Sequence, residues 1–136
     1  MPQSVICIYN SLDAQVVAVG ARELKSAEEF ASKFNIPKAY GSYDELVKDP
    51  EVEIVYVSVI HPYHKQGVSL ALNNGKHVLC EKPFTVTSKE TEELIKLAKE
   101  KDLFLMEAFW TRFFPGTQKV LITIKTSAYT LDLRIG

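Results

Sequence analysis

The chain has 136 residues, of which 46% are hydrophobic and 24% charged, as in one ordinary globular domain. A formal net charge of −1 excludes the strong single-sign field that would attract nucleic acid or an anionic membrane. The first residues carry no early Lys or Arg and only a short apolar run, so we expect no signal peptide, no membrane span and a cytoplasmic location.

Short β-rich runs alternate with helical patterns along the chain. The elements predicted in chain order are a short apolar run at residues 5–9, a strand at 15–22, helices at 26–37 and 42–49, a strand at 52–60, a turn and helix at 61–76, a strand at 77–81, a helix at 87–102 and a strand at 103–110. Alternation with short connections predicts α/β architecture with a parallel sheet.

Helix boundaries have local signals. Ser26 with Glu29, and Ser42 with Glu45, have the spacing of a capping box, in which the Ser side chain accepts from the backbone three residues on. Thr87 or Ser88 is the predicted cap of the clearest helix.

Ligands of open parallel sheets bind beyond the carboxyl ends of the strands. Four unusual stretches follow predicted strands: Gly20-Ala21-Arg22, Ile60-His61-Pro62, Glu81-Lys82-Pro83 and residues 108–112. Pro83 alone would supply a turn after the apolar strand "HVLC", so the preceding acid and base indicate a ligand at this edge. The alternative is a solvated lysine at a strand end, and the isomer of the Lys82-Pro83 bond stays open.

The order of these motifs resembles one enzyme family. Glu-Lys-Pro after a strand, a preceding strand that ends near His61-Pro62-x-His64, and "MEAFWTRFFP" at residues 106–115 resemble the glucose–fructose oxidoreductase / inositol dehydrogenase family. The similarity runs from about residue 15 to 115, and it is strongest to members that oxidise trans-dihydrodiols and D-xylose. The resemblance implies a Rossmann-like parallel sheet domain that binds NAD or NADP, here a partial domain over residues 1–115 with an unassigned tail at 116–136.

The resemblance also implies site residues. Lys82 matches the catalytic lysine beside the nicotinamide, and Glu81 and Pro83 match the flanks of its motif. His61 and Pro62 match the stretch under the nicotinamide ribose and the pyrophosphate.

Three more cofactor-binding positions follow from the same comparison. Arg22 stands just past the second strand of the family, where an arginine suits a 2′-phosphate and so indicates NADP. Trp110 and Arg112 match residues between the two domains, close to cofactor and substrate. The alternatives are a helix-flanking charge for Arg22 and, for Trp110 with Phe113 and Phe114, interdomain packing that would leave an exposed apolar patch here.

Two parts of the family pattern are missing from the sequence. No glycine precedes Gly20, so the glycine loop that cradles the pyrophosphate has no counterpart, and residues 10–14 are too few for a crossover helix. Residues 5–9 could instead pair antiparallel with the next strand, and loss of the family's central first strand would open the middle of the sheet. We therefore expect an incomplete domain of a truncated or splice-variant form, without first strand, glycine loop or C-terminal substrate domain.

The tail at residues 116–136 carries few signals of structure or function. Its β-rich residues 120–124 read poorly as the helix that the family has there. Tyr129 and Asp132 have the chemistry of a proton donor, but no sequence signal places them. His61 and His64 lack a third ligand at usable spacing, so no metal site is predicted.

The remaining chemistry-bearing residues read as structural. Cys7 and Cys80 both lie in apolar runs, which favours buried thiols over a disulfide. His77 is predicted to be a plain surface residue.

The function that the resemblance implies is NADP-dependent hydride transfer between the nicotinamide and a carbon bearing a hydroxyl, in a trans-dihydrodiol or an aldopentose such as D-xylose. Its predicted partners are a small-molecule substrate, no nucleic acid and no membrane, with a homodimer or association with a full-length subunit as the protein partner. Without phosphate cradle and proton donor, the chain alone is expected to be weakly active or inactive. The alternatives are a non-catalytic fragment that associates with a full-length subunit, and an unstable product without function.

Overall fold

A computed structural model describes residues 14–128. Its elements in chain order are β1 (Ala18–Gly20), α1 (Leu24–Phe34), β2 (Lys38–Tyr40), α2 (Tyr43–Lys48), β3 (Ile54–Val57), a 3-10 helix (His61–Tyr63), α3 (His64–Asn73), β4 (His77–Cys80), α4 (Ser88–Glu100), β5 (Leu105–Glu107), a second 3-10 helix (Trp110–Phe113) and α5 (Pro115–Ala128). The run at residues 5–9, Cys7, Tyr129 and Asp132 lie outside the described residues, so the predictions for them stay predictions.

The strands are parallel throughout the described range. β1 pairs with β2, and β3, β4 and β5 form a second sheet in that order. This confirms the predicted α/β class with a Rossmann-like parallel arrangement. Within residues 14–128, β1 and β3 do not pair. The predicted opening in the middle of the sheet depends on residues 1–13, which lie outside the described range, so it stays a prediction.

The core lies between the three-stranded sheet and helices α3 and α4. Leu72, Val78 and Leu94 are almost wholly excluded from solvent, and each contributes roughly 1.5–3 kcal/mol through burial of its side chain. Gly67 lets α3 lie close to β3, since a Cβ there would stand 3.1 Å from the Cγ1 of Val57. Close approach of helix and strand therefore depends on this glycine.

Two of the three predicted helix starts are confirmed. The side chain of Ser42 accepts from the backbone of Glu45, and that of Thr87 accepts from Glu90. The Ser26 cap was wrong: α1 begins at Leu24, and Ser26 lies inside its first turn. Leu24 packs closely over Gly41, and this tertiary contact extends the helix upstream of its local signal.

Residues 120–124 are helical, and the expectation that they read poorly as a helix was wrong. α5 runs from Pro115 to Ala128, and the Gln118 backbone N–H donates to the carbonyl oxygen of Phe114 at 2.9 Å. Pro115 suits the first helical position, where its missing N–H costs nothing. β-branched residues lower helix propensity by less than about 1 kcal/mol each, so such a local start can outweigh them.

The buried carboxylate of Asp49, which follows α2, forms hydrogen bonds to two side chains of β2. Asp49 accepts from the Lys38 ammonium at 2.9 Å, from the Tyr40 hydroxyl at 2.9 Å and from the Glu51 backbone at 2.9 Å. Lys38, followed by the other hydrogen bonds, lowers the pKa of Asp49 to about 2, and Asp49 in turn raises the pKa of both Lys38 and Tyr40. The Lys76 ammonium donates to the Asp49 carbonyl oxygen at 2.8 Å.

His77 is more than the plain surface residue that the sequence predicts. Its Nδ1 accepts from the Phe104 backbone N–H at 3.0 Å, so it joins the start of β4 to the segment before β5. Within residues 14–128, no helix has the length and apolarity needed to cross a bilayer.

Candidate functional site

The carboxyl ends of three neighbouring strands lie level with one another. Val57 of β3 is in register with Cys80 of β4, which is in register with Glu107 of β5. The pairing continues past the strands, because the Glu81 N–H donates to the Val57 carbonyl at 2.9 Å and the Ala108 N–H to the Cys80 carbonyl at 2.7 Å. The segments that follow these strands therefore share one edge of the sheet.

Lys82 stands on the middle turn of this edge. It is exposed, and its side chain has no hydrogen bond or ion pair within the part of the chain that the structure describes. The Lys82-Pro83 bond, left open by the sequence, is cis. The turn thus presents an uncommitted ammonium group beyond the strand ends, which is where ligands of parallel sheets bind.

The side chain of Glu81 is engaged at the base of the turn. One carboxylate oxygen accepts from the Tyr56 hydroxyl on β3, and the other accepts from the Lys82 backbone N–H at 3.1 Å. Glu81 therefore joins β3 to the turn that carries Lys82. No sequence pattern singles out Tyr56, because its partner Glu81 lies 25 residues away along the chain.

The segment after β3 reaches the same edge. His61 and Pro62 form the 3-10 helix that precedes α3, and the His61 Nε2 is buried without a hydrogen-bond partner among the described residues. The rings of His61 and His64 meet edge to face at 5.3 Å between centroids. An unpartnered ring nitrogen and an uncommitted ammonium group fit a ligand that carries oxygen acceptors, as a dinucleotide does.

His64, which belongs to the His61-Pro62-x-His64 motif but was not predicted as a site residue, is a further functional candidate. It is 2% exposed, its Nε2 lies 2.9 Å from the Val59 carbonyl oxygen, and its Nδ1 lies 2.9 Å from that of Pro83 and 3.2 Å from that of Phe84. Any hydrogen on the ring thus faces an acceptor, and the ring connects the segment after β3 to the Lys82 turn. In residues 14–128, no three His, Cys, Asp or Glu side chains come together as a metal site requires.

Glu107 is a second residue at this edge that was not predicted from the sequence. Its Oε1 accepts from the Phe84 backbone N–H at 2.9 Å, across 23 residues of sequence. The available signal was an acid that closes an otherwise apolar strand, as Glu81 follows β4. That signal names the residue but not the distant backbone group that it holds.

Cys80 lies under the two carboxylates. Burial first, then the charges of Glu107 and Glu81, raises the pKa of its thiol to about 12. Cys80 is therefore an inert, protonated core residue, which confirms the predicted buried thiol.

Arg22 stands apart from this cluster. It follows β1 in the other sheet, is exposed, and makes no side-chain contact with the Lys82 turn in the described range. Its neighbour Ala21 extends the β1–β2 pairing by donating to the Tyr40 carbonyl at 3.1 Å.

Trp110 and Arg112 lie on the 3-10 helix that follows β5, and both are exposed. The rings of Trp110 and Phe114 meet edge to face at 5.0 Å. Beside this helix is a groove of about 420 Å³, lined by Leu105, Met106, Glu107, Phe109, Arg112 and Phe113. Arg112 and Glu107, the last residue of β5, therefore line the same groove.

Comparison with known proteins gives a family for this arrangement. The model of the "Oxidoreductase family, NAD-binding Rossmann fold" matches residues 4–109. The trans-1,2-dihydrobenzene-1,2-diol dehydrogenase of Mus musculus is 55% identical over 133 residues, which are 98% of this chain and 40% of that protein. The same enzyme of Homo sapiens is 53% identical over 122 residues, which are 90% of this chain and 36% of that protein.

Solved structures agree. A 3-ketoreductase from Actinomadura kijaniata in complex with NADP superimposes with a TM-score of 0.82 at 29% identity, over 90% of this chain and 39% of that one. An NAD binding oxidoreductase from Klebsiella pneumoniae gives a TM-score of 0.79 at 28% identity, over 91% and 34%.

The matches extend beyond residues 15–115, the span that the motifs indicated, since the family match begins at residue 4 and the mouse match covers nearly the whole chain. The chain spans 36% of the length of the human relative. With its parallel strands, its Glu81-Lys82-Pro83 turn and a family match over most of its length, the chain belongs to the oxidoreductase family with the NAD-binding Rossmann fold.

Proposed function

We propose that this chain is the cofactor-binding part of an NADP-dependent oxidoreductase of the dihydrodiol dehydrogenase type. The substrate would be a trans-dihydrodiol or an aldopentose such as D-xylose. The observation that carries the proposal is the exposed Lys82 ammonium, which has no side-chain partner among residues 14–128 and stands on a turn held between three strand ends. The name shared by the mouse and human relatives supports the substrate class.

The residues at this edge have distinct proposed roles. Lys82 lies beside the reacting carbon, where its ammonium orients a substrate hydroxyl or carbonyl oxygen. The unpartnered Nε2 of His61 and the neighbouring Pro62 contact the ribose and pyrophosphate, and Glu81 with Pro83 fixes the turn. When bound, a nicotinamide supplies the hydride chemistry, and the protein supplies orientation and electrostatics.

The choice of NADP rests on Arg22. An arginine just past this strand offers a planar, permanently charged group that pairs with a 2′-phosphate, whereas NAD binding at the same place usually employs an acid. Arg22 is exposed and carries no ion pair in the described range, so its guanidinium is available. Trp110 and Arg112 are proposed to border the cofactor and the substrate beside the groove.

The 136 residues alone are proposed to be weakly active or inactive. Support comes from the sequence, in which no glycine precedes Gly20 to form a phosphate cradle. Oxidation of D-xylose by the purified chain, followed as NADPH absorbance, is expected to stay near background. Turnover that scales with protein concentration, and that Lys82→Ala abolishes, would contradict this.

Calorimetric titration tests the cofactor site directly. We expect NADP⁺ to bind more tightly than NAD⁺, and Lys82→Ala and Arg22→Ala to weaken NADP⁺ by roughly tenfold each. Arg22→Ala should leave the affinity for NAD⁺ unchanged, because NAD⁺ lacks the 2′-phosphate that Arg22 is proposed to bind. Lys99→Ala, an exposed lysine of α4 far along the chain from the turn, is the matched control. Absence of heat at millimolar NADP⁺ would refute the cofactor proposal.

A second candidate function is association with a full-length subunit as a non-catalytic fragment. It is favoured by the concentration of exposed large apolar side chains after β5: Phe109, Trp110, Phe113, Phe114, Val120, Leu121 and Ile122. Isolated exposed apolar residues are common, but seven within one segment of 14 residues favour an interaction surface. Co-purification with the full-length mouse relative, lost in Trp110→Asp with Phe113→Asp, would support this function over the first.

A further inference from the structure

Three side chains, those of Glu81, Glu107 and His64, lie within hydrogen-bonding distance of the backbone of the turn that carries Lys82. Its Lys82 N–H donates to Glu81, whose other carboxylate oxygen accepts from Tyr56, so that contact ties the start of the turn to β3. Its Phe84 N–H is bound by Glu107, which belongs to the next strand of the sheet. The carbonyl oxygens of Pro83 and Phe84 face the ring of His64.

The Glu107 contact is the one that ties the turn to the strand β5. Glu107 is in register with Cys80, and the Ala108 N–H binds the Cys80 carbonyl at 2.7 Å, so the end of β5 is fixed level with the start of the turn. From that fixed base the carboxylate reaches across to the Phe84 N–H at 2.9 Å. A hydrogen bond to a charged acceptor is roughly twice as strong as one between neutral groups.

We propose that Glu107 is a positioning residue, which sets the location of Lys82 by anchoring the far side of its turn to β5. Lys82 itself has no side-chain partner in the described residues, so only the backbone of the turn determines where its ammonium lies. Displacement of a reacting group by about 1 Å can reduce a rate by a factor on the order of a hundred, so such an anchor matters even without contact to a substrate. The functional part of this proposal rests on the proposed function of Lys82, but the anchor itself does not.

Amide hydrogen exchange of the whole chain tests the anchor without any cofactor. In Glu107→Leu the Phe84 amide should exchange about tenfold faster than in the wild type, whereas the Val78 amide, bound to the Phe104 carbonyl in the core, should be unchanged. Glu107→Gln keeps an acceptor oxygen and removes the charge, so it should restore most of the protection. Glu100→Leu, an exposed acid of α4, is the control.

Equal acceleration of Phe84 and Val78 would show a general loss of stability and would overturn the proposal, as would an unchanged Phe84 amide in Glu107→Leu. If Glu107→Leu fails to fold, the wild type gives the decision. There the Phe84 amide, which donates to Glu107 at 2.9 Å, should exchange at least about tenfold more slowly than a solvated amide. A Phe84 amide without protection in the wild type would overturn the proposal.

Cofactor titration separates the anchor from the function. Where wild-type chain binds NADP⁺, Glu107→Leu should weaken binding several-fold and Glu107→Gln should recover it. Unaltered affinity in Glu107→Leu would overturn the functional part of the proposal. A wild type that binds no NADP⁺ but shows the expected exchange pattern would sink the proposed cofactor site and leave the anchor supported.

Discussion

Two apolar regions of the chain have opposite fates. Around β3 and β4, side chains such as Leu72, Val78 and Leu94 are removed from solvent by helices on the sheet. After β5, an equally apolar segment leaves Trp110 at 53% and Phe113 at 59% exposure. Apolar composition therefore does not by itself predict burial, because a residue is buried only where another element covers it.

The difference locates stability and interaction in separate parts of the molecule. The buried region carries the free energy of folding, and the exposed segment carries surface that a partner or a further domain could cover. Chemical labelling and substitutions in each region test this division.

The largest expected effect is on the reactivity of the buried Cys80 thiol, compared between the folded and the unfolded chain. The Cys80 thiol has a pKa of about 12, so its thiolate fraction at pH 8 is about a thousandfold below that of an ordinary cysteine. In a Cys7→Ser variant, which leaves Cys80 as the only thiol, iodoacetamide labelling read by mass spectrometry should be at least about a hundredfold slower in buffer than in urea, because the folded thiol is inaccessible as well as protonated. Comparable rates in the two solvents would mean that this core is open.

Truncation of apolar side chains should destabilise only the buried region. Leu94→Ala removes a side chain that is 1% exposed, and we expect the free energy of unfolding in urea to fall by about 3 kcal/mol. Phe113→Ala should change it by less than about 0.5 kcal/mol. Similar losses in both variants would show that the segment after β5 is packed after all.

The two helical glycines should respond with opposite signs. Gly67→Ala places a methyl group 3.1 Å from Val57 and should cost about 1 kcal/mol of unfolding free energy. At Gly116 nothing lies within 4 Å, so Gly116→Ala should stabilise by about 0.5 kcal/mol through helix propensity. Stabilisation by Gly67→Ala would contradict the close approach of α3 to β3.

Acid should weaken the buried region at Asp49. The folded-state pKa of Asp49 is lowered to about 2 from an ordinary 3.8, so its stabilising contribution is complete above pH 4 and disappears as pH falls towards 2. The urea midpoint should fall over this range more steeply in the wild type than in Asp49→Asn, whereas Asp44→Asn, an exposed acid of α2, should behave like the wild type. An equal pH dependence in wild type and Asp49→Asn would show that another group dominates.

The fluorescence of Trp110 tests whether Asp49→Asn also affects the exposed segment. Trp110 is the single tryptophan of the chain and lies in the exposed segment, at a distance in sequence from Asp49. Its fluorescence should be insensitive to Asp49→Asn at neutral pH. A changed emission would mean that the two regions are coupled.

The parts of the candidate site and the helix caps that could be predicted from the sequence are local in the chain. The Glu81-Lys82-Pro83 turn, the segment at His61 and the caps at Ser42 and Thr87 are each encoded within a few neighbouring residues. Glu107, His64 and Tyr56 act on groups about 20 or more residues away, and no pattern in one sequence reveals such a partner. The start of α1 and the helical state of residues 120–124 were misjudged because tertiary contacts and a favourable first turn outweighed weak local preferences.

The order of strand pairing has a consequence for synthesis on the ribosome. In the described range, every strand pairs with the one that follows it or precedes it directly in sequence, as in β1 with β2 and β4 with β5. Loops of this kind close at little entropic cost, and no pairing waits for a distant segment to be translated. We therefore expect each strand–helix–strand unit to dock as it leaves the exit tunnel. Nascent chains held on the ribosome by a linker that follows residue 107, and that is long enough for β5 to clear the tunnel, should already resist protease across both sheets.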